Sequence, residues 1–434
     1  MAWSAGALVA NLRDREKWAR CADWLAILVA VELPWSTTGT VILLLLALLA
    51  GIGARDFKGW RDQALTPAGG LPVALWALAV IGMLWADAPL AERFDGMSSL
   101  TKLLAIPLLL AHFLRSERGV WVLIAFVASS AILLVLSWGL VLLPDLSWRG
   151  RDKWTPGIPV KDYIAQAQVF TLCVFGLCEG AVLAWRKGRR RLAAGLMLLA
   201  LAFLANVLYV APSWTVLVTI PILLMLFGVL RFGWKGAAGV LMLTAALALA
   251  AWQTSPTLRH RVTMLQEEMR DFDPKGADTS TGERLEFWRK SIIFIADAPV
   301  FGHGTGSIRE QFRRAAVGQT GVAAKVAANP HNQIFAVAIQ LGLAGTALLL
   351  AMWIAHLLLF RGGGPWAAIG LIVVVQNVVS SLFNSHLFDF TQGWIYVWGV
   401  GVLGGMMLRA HAVAPASGND ERDAAGEPAG LPAR

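Results

Sequence analysis

Long apolar blocks are the feature that most constrains how this chain folds. They recur along most of the sequence and are separated by short polar stretches, without the one-sided stripes of amphipathic helices. Only 15% of the 434 residues are charged, whereas a soluble domain carries roughly a quarter. Blocks of about 17 to 20 apolar residues are long enough to cross a bilayer as helices. The sequence therefore predicts an all-α polytopic membrane protein.

About twelve of these blocks are predicted to be transmembrane helices. Many of them end in tryptophan, for example at Trp35, Trp185 and Trp366, as interfacial aromatic residues do. The approximate cores are residues 21–35, 37–54, 70–86, 99–114, 119–143, 162–185, 192–210, 215–230, 236–252, 333–360, 365–383 and 394–409.

The distribution of Lys and Arg predicts the orientation. The loop at 186–191 is strongly basic, whereas the connections at 211–214 and 384–393 contain no Lys or Arg. Because basic loops stay in the cytoplasm, both termini are predicted to be cytoplasmic. The predicted organisation is nine helices in 1–252, an outer helical loop in 253–332, three helices in 333–411 and a disordered cytoplasmic tail in 412–434.

The long polar loop is predicted to be structured. Apolar residues recur at spacings of three and four over 258–272 and again over 285–295, which indicates two amphipathic helices. Ser280 and Glu283 form a capping-box pattern at the start of the second helix. Both helices are expected to lie on the membrane surface or to roof a cavity. The glycine-rich segment 301–306 is expected to be irregular and to be followed by a short basic helix.

Two residues of this loop are candidates for chemistry. His331 follows Pro330, and Asn332 is positioned to cap the next helix. A histidine at the lip of a membrane helix titrates near neutral pH beside a lipid-borne substrate. Arg284 stands in the first turn of a helix, where the dipole favours an anion. Its position fits either an arginine at the membrane interface or a ligand of a phosphate.

Common metal and nucleotide motifs are absent. The sequence has no Asp-x-Asp, H-E-x-x-H, G-x-S-x-G or Walker loop. Cys21, Cys173 and Cys178 lie in or beside apolar runs without the spacing of metal ligands, so neither a disulfide nor zinc is expected. No metal and no cofactor are therefore predicted.

A set of motifs in residues 280–345 carries a family resemblance. It consists of Arg284 with Trp288, a Pro-x-x-Gly-x-Gly-x-Gly segment at 299–306, His331-Asn332, and two glycines at 342 and 345. This pattern resembles the bacterial O-antigen ligase/polymerase family, which also has a large loop before its last three helices. The resemblance implies an inner-membrane glycosyltransferase of the GT-C type. Such ligases move a polysaccharide from undecaprenyl pyrophosphate to lipid A-core at the periplasmic face, without metal and with inversion.

The resemblance also implies roles for individual residues. His331 would be catalytic, and Arg284 and Lys102 would bind the pyrophosphate. Where the family has an arginine, this chain has Trp214, and this exchange removes a charge and a bidentate donor. Either other basic residues supply the charge or the chain is impaired. The further candidates for substrate binding are Arg149, Arg151, Lys153 and Arg261.

Two other functions stay open at this point. An O-antigen polymerase would use the same donor but a second lipid-linked glycan as acceptor. A transporter of lipid-linked oligosaccharides would need ionisable residues in mid-membrane, and the sequence has few. The expected partners are the lipid-linked glycan, lipid A-core and membrane lipids, and no nucleic acid is expected.

Overall fold

The computed structural model describes residues 14–143, 157–270 and 280–413. Within these ranges the chain forms α-helices joined by turns, with short 3-10 turns at 102–104 and 321–324 and no strand. This confirms the all-α prediction. The helices are α1 (Arg15–Glu32), α2 (Thr37–Ala54), α3 (Phe57–Ala64), α4 (Pro67–Gly82), α5 (Leu90–Thr101), α6 (Ala105–Arg115), α7 (Gly119–Leu142), α8 (Tyr163–Arg186), α9 (Arg190–Tyr209), α10 (Trp214–Thr254), α11 (Pro256–Arg270), α12 (Ser280–Asp297), α13 (Ile308–Ala316), α14 (Gln333–Leu359), α15 (Pro365–Ser380) and α16 (Phe390–Val413).

Several of these helices are long and apolar enough to cross a membrane. Among the described residues there are 7 such segments, one of which is the continuous run Leu90–Arg115. An eighth results if α3 and α4, which are bent by 84°, count as one span. The chain is therefore a multi-pass membrane protein. The twelve predicted cores fall largely on helices, with two of them in α10 on either side of a break at Gly233, but twelve crossings stay a prediction.

Two buried apolar clusters hold the helices together. One lies between α4, α6, α14, α15 and α16, and the other lies between α7, α8, α9 and α10. All three cysteines are free thiols in the structure. The first cluster packs α14 and α16 into the bundle. Both helices begin at the end of the bundle where His331 lies. We call this end of the bundle the site end.

A buried histidine replaces a hydrogen bond that a proline removes from α4. Pro72 has no N–H, so the carbonyl of Ala68 lacks its usual helical donor. His356 Nε2 lies 2.8 Å from this carbonyl oxygen, and Tyr396 Oη lies 2.5 Å from His356 Nδ1. All three hydrogen-bonding groups come from different helices, so this contact fixes α4, α14 and α16 relative to one another.

Helix α14 is broken at Gly342, which has φ 61° and ψ −156°. The break leaves two N–H groups without partners inside the helix. Leu343 N–H donates to the carbonyl of Pro299 at 2.8 Å, and Ala344 N–H donates to that of Val300 at 3.1 Å. The chain that leaves α12 therefore enters the break and replaces the missing helical acceptors.

The same break leaves two carbonyls of α14 free, and the glycine-rich segment provides their donors. His303 N–H donates to the carbonyl of Ile339 at 2.8 Å, and Gly304 N–H donates to that of Gln340 at 2.9 Å. Gly304 has φ 89°, and a Cβ atom there would lie 2.2 Å from the Ala86 backbone. The glycine-rich segment is thus a docking element between α14 and the end of α4.

Two ion pairs attach α13 to the first turn of α5 and to the segment before it. Arg313 lies 3.0 Å from Glu92, and Arg314 lies 2.6 Å from Asp87. Together with the docked glycine segment, these contacts hold the described part of the long loop on the site end.

Candidate functional site

His331 lies at the start of α14 in an unusual backbone conformation. Its φ is 54°, in the left-handed region, where the structure has only one other non-glycine residue among those described. Asn329 Oδ1 accepts the N–H of His331 at 2.8 Å. The N-cap prediction is confirmed, because Asn332 Oδ1 accepts from Ile334 N–H at 2.9 Å and from Phe335 N–H at 3.1 Å. Side chains on both sides of His331 therefore fix its backbone.

The imidazole of His331 is half-buried and held on two sides. Its Nδ1 lies 3.0 Å from Asn384 Oδ1, in the turn between α15 and α16. Its ring stacks on Phe287 of α12, with 6.2 Å between ring centroids and 13° between planes. Among the hydrogen bonds of the described residues, none uses Nε2 of His331. The ring thus bridges the loop helix α12 and the turn that precedes α16.

Burial is the main influence on the charge of this imidazole. It lowers the pKa of His331 below the ordinary value of 6.5, and the positive charge of Arg284 lowers the pKa further. The hydrogen bond to Asn384 and the carboxylates of Asp389 and Glu283 act in the opposite direction without reversing the shift. His331 is therefore neutral at pH 7, as a general base must be before it accepts a proton.

Helix α12 brings Arg284 to this region. The helix begins at Ser280, as predicted, and Arg284 lies one helical turn before Phe287, whose ring stacks on His331. Neighbouring Glu283 forms an ion pair with Lys325. One cation and one neutral imidazole thus lie close together at the site end.

The face of α12 that packs inward differs from the predicted apolar face. Phe287 and Phe294 are buried, whereas Ile292, on the predicted face, is 59% exposed. Glu286 is also fully buried, and Arg289 donates to its two carboxylate oxygens at 2.8 and 2.7 Å. The periodicity predicted the helix correctly, but the face that packs inward is the one with Phe287, Phe294 and the buried Glu286.

Lys102 also lies near the site, but it faces the backbone. It is buried in the 3-10 turn between α5 and α6. Its Nζ donates to the carbonyls of Leu387, Phe388 and Asp389 at 3.1, 3.1 and 2.8 Å. An ammonium group has three N–H donors, and these three carbonyls match them. The predicted contact of Lys102 with pyrophosphate stays untested.

Part of the chain, including the region around His331, is similar to a known protein family. A family model described as O-antigen ligase matches residues 199–350. This segment of the chain is therefore similar to the O-antigen ligase family. Members of this family are glycosyltransferase-like ligases or polymerases that act on lipid-linked glycans in a membrane, and the similarity supports a general enzymatic role. No curated protein matches the chain.

The matched segment 199–350 contains both candidates for catalysis, His331 and Arg284, and the whole of the long loop 253–332. It also contains Trp214, which is the first residue of α10, and Arg261, which lies in α11. The side chains of Trp214 and Arg261 lie outside the part of the chain that the structure describes. Residues 144–156 also lie outside it, and they contain three candidates for substrate binding, Arg149, Arg151 and Lys153.

Sequence reasoning missed the polar turn that contacts His331. Asn384, Ser385, His386 and Asp389 follow one another closely between two apolar helices. This density of polar side chains in a short connection without Lys or Arg was a usable signal. These residues lie 53 or more positions from His331 along the chain, so no local pattern in the sequence connects them with it. In the described residues no group of three His, Cys, Asp or Glu side chains could hold a metal ion.

Proposed function

We propose that this protein is an O-antigen ligase. It transfers a polysaccharide from undecaprenyl pyrophosphate to lipid A-core, at the periplasmic face of the bacterial inner membrane, with both termini in the cytoplasm. The observation that carries the proposal is a neutral His331 beside the charge of Arg284, inside the family-matched segment. A base and a cation are the two groups that a metal-independent transfer from a pyrophosphate needs.

In the proposed reaction, His331 Nε2 accepts the proton of an acceptor sugar hydroxyl. The hydroxyl oxygen forms a bond to the anomeric carbon of the donor while the bond from that carbon to the phosphate oxygen breaks. Undecaprenyl pyrophosphate leaves with the electron pair, and the anomeric configuration inverts. His331 then releases its proton to water. A general base contributes about 10²- to 10⁴-fold to such a step.

Cations stabilise the charge that develops on the leaving pyrophosphate. Arg284 is placed for this role because a guanidinium donates two parallel hydrogen bonds to phosphate oxygens. Arg149, Arg151, Lys153 and Arg261 are further candidates for donor binding, and they would supply the charge that Trp214 does not. In this proposal, Lys102 holds the turn before α16, because its Nζ donates hydrogen bonds to three backbone carbonyls of that turn.

The decisive experiment is transfer in a defined system. The full-length protein in lipid nanodiscs is given an undecaprenyl pyrophosphate-linked glycan with lipid A-core, with a second lipid-linked glycan, or with both. Covalent transfer to lipid A-core, unchanged by a metal chelator, is expected. Chain extension on the second lipid-linked glycan alone would instead establish a polymerase. Movement of the intact donor across the bilayer without covalent transfer would establish a transporter and overturn the proposal.

A further inference from the structure

The turn between α15 and α16 is fixed from several directions. Besides the three contacts from Lys102, the N–H of Leu387 donates to Gln333 Oε1 at 3.0 Å. Gln333 is the first residue of α14, and its own N–H donates to the carbonyl of Ser381 at 2.8 Å. The turn is therefore attached to the same helix end that carries His331. Its side chains have a defined position relative to the imidazole.

Asn384 has a single side-chain orientation that satisfies its neighbours. Its Oδ1 accepts the backbone N–H of Ser385 at 3.0 Å, and its Nδ2 donates to Asp389 Oδ2 at 3.4 Å. Exchange of the amide oxygen and nitrogen would place an NH₂ group against a backbone N–H and an oxygen against a carboxylate. Both contacts would become repulsive. The oxygen of Asn384 therefore faces His331.

Asp389 is held in turn by a second histidine. His386 is fully buried, and its Nδ1 lies 3.0 Å from Asp389 Oδ2. Asn329 contributes from the other side, because its Nδ2 lies 3.5 Å from Asn384 Oδ1 and its Oδ1 accepts from Ser385 Oγ at 2.7 Å. Each of these contacts is consistent with an amide oxygen of Asn384 pointing at the imidazole.

An amide oxygen only accepts hydrogen bonds, so the atom of His331 that faces it must carry a proton. We infer that Asn384 is a positioning residue that fixes the Nδ1–H tautomer of His331 and leaves the lone pair of Nε2 for the substrate. This inference rests on the proposed function for its catalytic consequence, but the tautomer itself does not. A histidine with the opposite tautomer presents an N–H to the substrate and accepts no proton there.

Two substitutions test the inference in the full-length protein. Asn384→Leu removes the acceptor, so His331 is expected to populate both tautomers. The rate constant kcat should fall by at least about tenfold, which is part of what a general base supplies, while KM for the donor stays nearly constant. Asn384→Asp keeps an acceptor for Nδ1–H, although its second oxygen then faces the Asp389 carboxylate, so above the pKa of His331 it is expected to lose much less of the rate than Asn384→Leu.

The pH profile separates positioning from a general loss of structure. In Asn384→Asp the added carboxylate raises the pKa of His331, so the acid limb of kcat should move to higher pH. The other charged groups near the imidazole, which are Arg284, Glu283 and Asp389, are unchanged in this variant. A loss of rate that is equal at every pH in both variants would overturn the inference.

Histidine ¹⁵N spectra of the protein give a readout that does not require transfer activity. The His331 signals, assigned by their loss in His331→Asn, are expected to show a protonated Nδ1 in the wild type and a mixture in Asn384→Leu. Asn206→Leu, which removes a buried amide that bonds Gln166 and Ser137 instead, should leave these signals unchanged. A protonated Nε2 in the wild type would refute the tautomer whether or not the protein transfers glycans.

Discussion

At the residue scale, His331 combines strain with support. A non-glycine residue in the left-handed region costs about 1–3 kcal/mol and persists only where its surroundings fix it. Here Asn329 holds its N–H and Asn332 begins α14 directly after it. The sequence singled out His331 as a candidate for chemistry and predicted Asn332 as the cap of α14. It could not predict the backbone conformation, because the residues that impose it act through contacts with the distant turn before α16.

The pH dependence of transfer follows from the environment of His331. The neutral imidazole is the active form, so activity is lost as pH falls through its pKa. Because burial lowers that pKa, the acid limb of kcat/KM, which reports the free enzyme, should lie below pH 6.5, the ordinary value. Steady-state rates measured between about pH 4 and pH 9 check this. An acid limb clearly above the ordinary histidine pKa would show that another group controls the reaction.

Arg284 is predicted to act on the donor rather than on the fold. Arg284→Gln removes the guanidinium, so KM for the lipid-linked donor should rise and kcat should fall, by roughly tenfold or more in kcat/KM for one lost charge-assisted contact. Arg309→Gln is the matched control, since Arg309 occupies an exposed position of α13. Equal kinetic losses in the two variants would assign Arg284 a structural role.

At the element scale, periodicity predicted which segments are helical but not how they dock. The three loop helices α11, α12 and α13 lie where the sequence placed them. The apolar run from Gln333 to Leu359 gave no sign of its break, because Gly342 keeps the run apolar and the lost hydrogen bonds are replaced by residues 299–304. The glycine motif was visible as a motif, but its partner inside α14 was not.

Alanine substitutions at Gly304 and Gly318 distinguish the docking role of the glycine-rich segment from the cost of a left-handed backbone alone. Both have positive φ, 89° and 73°, but a Cβ at Gly304 would meet Ala86 at 2.2 Å whereas one at Gly318 would meet nothing within 4 Å. Gly318→Ala should cost only the left-handed conformation, about 1–2 kcal/mol. Gly304→Ala should destabilise the protein considerably more, since backbone must move. Thermal unfolding of the detergent-solubilised variants measures the difference, and equal midpoints would disprove the docking role.

At the scale of the whole molecule, composition predicted the class, which is confirmed, whereas the orientation from Lys/Arg counts stays a prediction. The all-α fold and multi-pass character needed no tertiary information, because apolar blocks of this length have few other solutions. The site needed such information. Its residues come from α12, the start of α14, the turn before α16 and the 3-10 turn after α5, and no local pattern links these four places.

The predicted orientation has a direct test in two exposed glycines at opposite ends. Gly318→Cys and Gly188→Cys both replace a left-handed glycine with open surroundings, in a background where the three native cysteines are serine. A membrane-impermeant maleimide added to spheroplasts should label position 318 but reach position 188 only after permeabilisation. The reverse pattern would place the site end in the cytoplasm and contradict the proposed periplasmic reaction.

The most direct test of the central claim is the transfer rate of His331→Asn in the reconstituted system. Asparagine tolerates the left-handed backbone better than most residues, so this variant removes the base while it disturbs the fold little. His260→Asn, at an exposed position of α11, is the matched control. We expect His331→Asn to transfer at least about a hundredfold more slowly and His260→Asn to match the wild type. Transfer by His331→Asn at a rate near that of the wild type would contradict the role of His331 as the base.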